Sequence, residues 1–259
     1  MSPVHDPRIA RGMTAQLARR RERLAAGETA LGWKVGFGAP AAMEKLGIRA
    51  PLVGFLTARA LLPSGASISL AGWTKPVAEP EIAVHLGKDL PAGADRDAVK
   101  AAIAGLAPAI ELADVDHPPD DVERILAGNI YQRNVILGPR DLSRAGGVLG
   151  GLLGRVSRNG TEIATTSDPQ AMTGGLTGLV RYVADVLAAF GETLRAGEVI
   201  ITGSIVPPLS VAPGDDVVFE LLPVGAVSVR FAGAPVTAIR GENEKPHREG
   251  RKGKEKHQR

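Results

Sequence analysis

The 259-residue chain is 44% hydrophobic, enough to bury an ample core in one large domain or two small ones. It contains no cysteine, which excludes disulfides, thiolate zinc sites and a cysteine nucleophile, restricts any metal to oxygen or histidine ligands, and fits a reducing cytoplasmic setting. The net charge of +3 is unevenly placed: residues 240–259 hold eight Lys/Arg against four Asp/Glu, a net +4, so the remainder carries about −1 and the pI near 9.3 belongs to the tail.

Near the N-terminus, Arg19, Arg20, Arg21 and Arg23 stand where a signal peptide needs an apolar core, and no apolar run is long enough to cross a bilayer, so a cytoplasmic protein without a membrane partner is expected. Residues Arg8 to Ala26 read as a helix with Ile9, Met13, Leu17 and Leu24 as its apolar positions, ended at Gly27. Ala30 to Gly38 is a strand running into glycines. Its Gly36-Phe37-Gly38 run meets a loose dinucleotide fingerprint, but Arg59 and its neighbours occupy the place of the required acid, so a nucleotide site is rejected. Short apolar runs from Pro51 to Ile68, broken by Thr, Pro, Ser and Gly, suit strands and tight turns.

Lys75 to Leu86 is the centre of the chain's chemistry. Strand side chains alternate faces, so Glu79 and Glu81 point the same way while Ile82, Val84 and Leu86 fill the other face. Two like charges on neighbouring pleats repel, and a hard cation with oxygen ligands gives the spacing a purpose. Pro108 to Val115 supplies a third carboxylate: Glu111 shares a strand face with the small Ala109 and Ala113, opposite Ile110 and Leu112. His85 lies two pleats beyond Glu81, roughly 13 Å along a strand, too far to join the same ion. Asp114, Asp116, Asp120 and Asp121 lack the alternation and central glycine of a calcium loop and read as caps and turns.

Between these strands, Ala94 to Asp97 starts a helix with Val99, Ala102, Ile103 and Leu106 on one stripe, and a second short helix spans Pro118 to Gly128. Asn129 leads into another strand, and Asn159-Gly160 marks a hairpin. Leu176, Val180, Val183, Leu187 and Phe190 form one face of a helix stopped at Gly191. Strands follow at Val199 to Ser204, Val211 to Leu222 and Gly225 to Phe231. Many strands with few intervening helices argue against a parallel barrel. A single domain over residues 1–239 with a helical N-terminal edge, then a disordered basic tail over 240–259, is the economical organisation. The tail has no aromatic residues for base stacking, so no specific nucleic-acid partner is expected.

Four blocks together carry a resemblance: Gly32-Trp-Lys34-Val-Gly36, Lys75-Pro-x-x-Glu79-x-Glu81-Ile-Ala, Pro108-Ala-Ile-Glu111, and Leu194 to Ser204 with its Ile-Ile-Thr202-Gly203-Ser204 end. In order and spacing they resemble the 2-keto-4-pentenoate hydratase group of the fumarylacetoacetate hydrolase superfamily, over roughly Arg19 to Phe231. The resemblance implies an α+β fold, a mixed and strongly curved β-roll with peripheral helices, and a homo-oligomer built on dimers. It implies Mg2+ or Mn2+ held by Glu79, Glu81 and Glu111, with Lys34 matching the family lysine as the candidate catalytic acid/base or else a carboxylate binder. Asn129, Lys75, Thr202 and Ser204 are candidate substrate contacts, with Lys75 otherwise offsetting the carboxylates or solvated and Thr202 and Ser204 otherwise closing a turn. The implied substrate is a small 2-oxo or 2-hydroxydienoic acid. The implied reaction is hydration of a 2-hydroxy-2,4-dienoate to a 4-hydroxy-2-oxo acid, with decarboxylation of a 4-oxalocrotonate-type diacid, or a silent metal-binding relative, as alternatives.

The chain departs from the group at two places. Leu52 stands in Pro51-Leu52-Val53-Gly54 where the group carries an acid. Gly128-Asn129-Ile-Tyr131-Gln132-Arg133 keeps only the Asn of an Asn-Ala-Ser-Ser segment, and Arg133 is a candidate partner for an extra substrate carboxylate.

Overall fold

The computed structural model describes residues 5–233; the tail expected over 240–259 and the domain boundary at 239 lie outside them. Two mixed sheets make the fold. The first runs β2 (Leu52–Thr57), β1 (Ala30–Gly36), β10 (Val199–Ser204), β5 (Pro76–Leu86), β6 (Ile103–Asp114), β7 (Gln132–Leu137) and β3 (Leu61–Leu62), with the short β11 (Leu209–Ser210) beside β5. Within this sheet only β1 with β10 and β3 with β7 pair in parallel. The sheet curls into a half-barrel, as the strand-rich pattern and the resemblance lead one to expect. The second sheet runs β4 (Ala66–Ile68), β13 (Gly225–Phe231), β12 (Asp216–Leu222), β8 (Leu153–Arg158) and β9 (Thr161–Thr166). Its β8–β9 turn is the Asn159-Gly160 hairpin, with both residues at positive φ.

The two faces of the curled sheet have different compositions for a physical reason. Leu56, Ala83, Ala107, Ala109, Val135, Val199 and Ile201 pack together on the concave face. Three alanines and two valines leave little bulk there, and the same strand faces continue into Glu79, Glu81 and Glu111. The convex face carries Ile82, Val84, Leu106, Ile110 and Leu112, which join the helices and the second sheet in the main core. Each such fully buried chain contributes roughly 1.5–3 kcal/mol. The alternation expected for β5 and β6 therefore holds, with one difference: the carboxylate face is buried too.

Helix α1 (Pro7–Ala25) starts on an Asp6 cap and buries Ile9, Met13 and Leu17. It anchors β1 from behind through Arg20, which lies 4.6 Å over the Trp33 ring and 3.7 Å from Glu198, itself the acceptor for the Trp33 indole N–H. Helix α5 (Leu176–Ala189) has the expected buried face of Leu176, Val180, Val183 and Leu187, and Phe190 caps it. Three expectations are corrected. The helix after Ala94 is short, α3 (Arg96–Ala102), and Ile103 and Leu106 already belong to β6, because eleven residues of β5 offer a longer ladder than another helical turn. The second short helix is only α4 (Val122–Ala127), its Arg124 N–H capped by Asp121 after a turn at Pro119 and Asp120. The run from Val211 to Leu222 is interrupted by an Ala212–Asp215 turn before β12. Helix α2 (Pro40–Leu46) follows the β1 glycines, but β2 returns antiparallel to β1, so no βαβ nucleotide unit forms.

β1 meets β10 at one very close approach. Gly32 has φ 150°, and a Cβ there would lie 1.9 Å from the Val199 carbonyl oxygen. Gly32→Ala is expected to cost more than about 3 kcal/mol, a loss of roughly 6–12 °C in melting temperature. A loss of only a degree or two in a thermal melt would mean that the strand pair yields there.

Candidate active site

The polar end of the concave face gathers side chains from five strands and loops. Glu79 pairs in register with Glu111, Ser204 with Glu81, and Lys34 with Ile201 and Gly54. Strand alternation therefore turns Glu79, Glu81, Glu111 and Lys34 to one interior. One carboxylate oxygen from each glutamate lies within 4.8 Å of the others. Glu81 and Glu111 are fully buried, and each has one oxygen, Oε1 and Oε2 respectively, with no hydrogen-bond partner. Burial raises all three carboxyls above their ordinary range, Glu111 to about 7 and Glu81 further under added repulsion from Glu111 and Glu79; Lys34 offsets part of this. Buried like charges with unpaired oxygens cost free energy unless something positive joins them. Three carboxylates are the donor set a hard divalent cation takes, so the residues fit such an ion.

Lys34 is 2% exposed, and its ammonium donates to Glu111 Oε1 and, at 3.1 Å, to the Ile130 carbonyl. Gly54 makes room for it: a Cβ at that position would press on Lys34 Cγ at 2.9 Å. The register break in β10 between Ile201 and Ser204 sets Thr202 and Gly203 apart from the ladder, and the Gly203 N–H donates to Glu81 Oε2 at 2.7 Å. Asp114 is more than a turn residue. It is buried, accepts from the Thr74 and Lys75 N–H groups at 2.9 and 2.8 Å, and so fixes the start of β5 two pleats ahead of Glu79.

These groups open into a cavity of about 410 Å3. Lys34, Glu79, Lys75, Thr202 and Ser204 line it, together with Phe37, Val77, Val115 and Met172. Expected site residues therefore converge, with two exceptions. Asn129 is buried, and its amide is committed at both ends to Phe55, accepting from the N–H at 2.8 Å and donating to the carbonyl at 2.9 Å. Arg133 does not line this cavity; it reaches away from it to Asp114 and Asp116 at 3.1 and 3.3 Å. Leu52, in the place of the group's acid, is buried in the main core. The loop around Met172 and Thr173 over the cavity had no signal in the sequence beyond being a break before α5.

The fumarylacetoacetate hydrolase C-terminal family model matches residues 33–232, which take in every strand except the first three residues of β1, and all four glutamate and lysine positions of the site. The chain belongs to this family. Within it, the chain is 32% identical over 216 residues to the 2-hydroxyhexa-2,4-dienoate hydratase of Comamonas testosteroni, covering 82% of this chain and 81% of that one. It is 30% identical over 221 residues to a 4-oxalocrotonate decarboxylase of Pseudomonas putida, covering 84% and 83%. The solved 4-oxalocrotonate decarboxylase from Pseudomonas putida G7, complexed with magnesium and adipate, superposes with a TM-score of 0.79 at 28% identity, over 89% of this chain and 90% of that one. The chain thus sits among fumarylacetoacetate hydrolase family members named as hydratases and as decarboxylases.

Proposed function

We propose that this chain is a divalent-metal-dependent lyase of small 2-oxo acids, and specifically a hydratase that adds water to a 2-hydroxy-2,4-dienoate to give a 4-hydroxy-2-oxo acid. One observation carries the reading: three clustered carboxylates and a buried lysine meet at the base of a cavity whose remaining walls are largely apolar. The relatives' names support the substrate class. Glu79, Glu81 and Glu111 would hold the ion, Mg2+ or Mn2+. When bound, it supplies stabilisation for the negative charge that a 2-oxo acid develops on its C2 oxygen as it enolises.

The chain's own groups bind, orient and move protons. Of the three N–H bonds of Lys34, two are held by Glu111 and the Ile130 carbonyl, and the third is left for the cavity, where it can hold or deliver a proton to the conjugated substrate. Ser204 already donates its hydroxyl proton to the Val206 carbonyl at 2.6 Å, so toward substrate it acts as an acceptor; the Thr202 hydroxyl remains for a substrate oxygen. Lys75 is exposed on the cavity lining and meets a carboxylate. Phe37, Val77, Val115 and Met172 keep bulk water from the hydrocarbon part of the substrate.

Decarboxylation of a 2-oxo diacid is the second reading, and Lys75 is the observation that favours it, as a cation available to a second carboxylate; Arg133 gives it no support. NMR product analysis with a 2-hydroxydienoate and an oxalocrotonate-type diacid, with and without Mg2+, separates the two. A 4-hydroxy-2-oxo acid formed only with metal is the expected result. Carbon dioxide release from the diacid with an inert dienoate would transfer the assignment to the decarboxylase. A homo-oligomer and a cytoplasmic location complete the proposal.

A further inference from the structure

We propose that Asn129 is a positioning residue: by clamping the left-handed turn of residues 129–131 against β2, it aims the Ile130 carbonyl at Lys34 and so sets the ammonium in the cavity. The inference rests on the reading of Lys34 as the proton carrier. Asn129, Ile130 and Tyr131 have φ of 60°, 53° and 62°, three successive non-glycine residues in a region that a β-branched residue strongly disfavours. Such a turn persists only where its surroundings impose it.

The surroundings are specific. The Asn129 amide bridges the N–H and carbonyl of Phe55 as another strand's backbone would, on the strand that ends the curled sheet. At the other end of the turn, the Tyr131 hydroxyl donates toward the His117 carbonyl at 3.1 Å. Between these anchors the Ile130 carbonyl receives Lys34 Nζ at 3.1 Å. The facing strands lack side chains where the turn presses: a Cβ on Gly36 would lie 2.9 Å from Ile130 Cγ2, and one on Gly54 would lie 2.9 Å from both Asn129 Oδ1 and Lys34 Cγ. Reversing φ at Ile130 rotates its peptide plane and takes the carbonyl away from Lys34. Without that acceptor, Glu111 alone holds the ammonium, and its third proton is no longer directed. Asn129 touches neither the cavity nor the carboxylates, so it acts through Ile130 and Lys34 rather than on substrate.

The test compares Asn129→Ala and Asn129→Gly with the unaltered chain. Asn129→Gly keeps a residue that accepts positive φ and so protects the fold if Asn129→Ala does not accumulate. The readouts are residue-resolved amine labelling of the native, metal-free protein by mass spectrometry, and steady-state kinetics on a 2-hydroxydienoate with Mn2+. Labelling of Lys34 relative to Lys75 is expected to rise at least fivefold in both variants, and kcat to fall at least tenfold with KM changed less than threefold. A Lys34:Lys75 labelling ratio within twofold of the unaltered chain in Asn129→Gly overturns the proposal, whatever happens to kcat, because a merely structural clamp lowers activity without freeing Lys34. If the unaltered chain turns over no dienoate, the proposed reaction fails, while the labelling ratio still decides the role of Asn129.

Discussion

Glu81→Gln is expected to remove Mn2+ binding and turnover while leaving the metal-free protein as stable as before, or more so. Glutamine has the shape of glutamate, and its side-chain oxygen can still accept from the Gly203 N–H, so packing around the β10 bulge is kept. What changes is electrostatic. Burial first, then Glu111 and Glu79, disfavour the ionised form of Glu81 in the absence of an ion, and a neutral amide is free of that penalty. The same charge is what a divalent cation needs. Its loss is expected to weaken Mn2+ by more than about 100-fold and turnover by about 1000-fold. The pair of readouts is calorimetry with Mn2+ and thermal melts with and without the metal. An ion present at 100 times its Kd adds ~2.7 kcal/mol to the stability of the unaltered chain, and the accompanying rise in melting temperature should vanish in the variant. A rise of equal size in both proteins would take Glu81 out of the ligand set.

The site was legible in the sequence to the extent that it is built on strands. A period of two puts Glu79 and Glu81 on one face, and the alanines around Glu111 and at position 83 mark that face as a tight interior, so local pattern already contains the geometry. The same logic named the convex face of β6. It failed at Ile103 and Leu106, where an apolar stripe satisfies both helical and strand spacing, and only the length of the facing β5 decides between them. Asn129 shows a different limit. Nothing in its sequence neighbourhood reports that an edge strand 74 residues earlier would take both ends of its amide, and three non-glycine residues in left-handed backbone run against propensity. Arg133 fails for the same reason from the other side: its chemistry suits a second carboxylate, but β7 carries it outward to Asp114 and Asp116. Asp114 reads in the sequence as a cap or turn residue, whereas the fold makes it the last residue of β6, its carboxylate holding the Thr74 and Lys75 N–H groups at the entry to the carboxylate strand.

Lys34→Met should separate proton handling from metal holding. The variant keeps all three carboxylates, so Mn2+ is expected to bind as tightly as before or more tightly, a neighbouring positive charge having been removed. Loss of the acid/base is expected to lower kcat by 10²–10⁴-fold. Stability of the metal-free variant carries the sign of the argument. Burial holds the folded Glu111 at about 7, above its ordinary value, even with Lys34 drawing it down. The folded state therefore binds this proton more tightly than the unfolded one. The resulting stabilisation is complete below the ordinary carboxylate value and is lost as pH rises through about 7. Without Lys34 the folded value moves higher still, so the loss continues further into the alkaline range. The melting temperature of Lys34→Met is expected to fall increasingly below that of the unaltered chain once pH passes about 7, the gap widening by up to ~1.4 kcal/mol, or roughly 3–6 °C, by pH 8. Saturating Mn2+ should narrow that gap, because the ion supplies the positive charge that Glu111 has lost. A kcat within tenfold of the unaltered chain would remove Lys34 from the chemistry, and a gap that does not widen with pH would mean that Glu111 is not the group it neutralises.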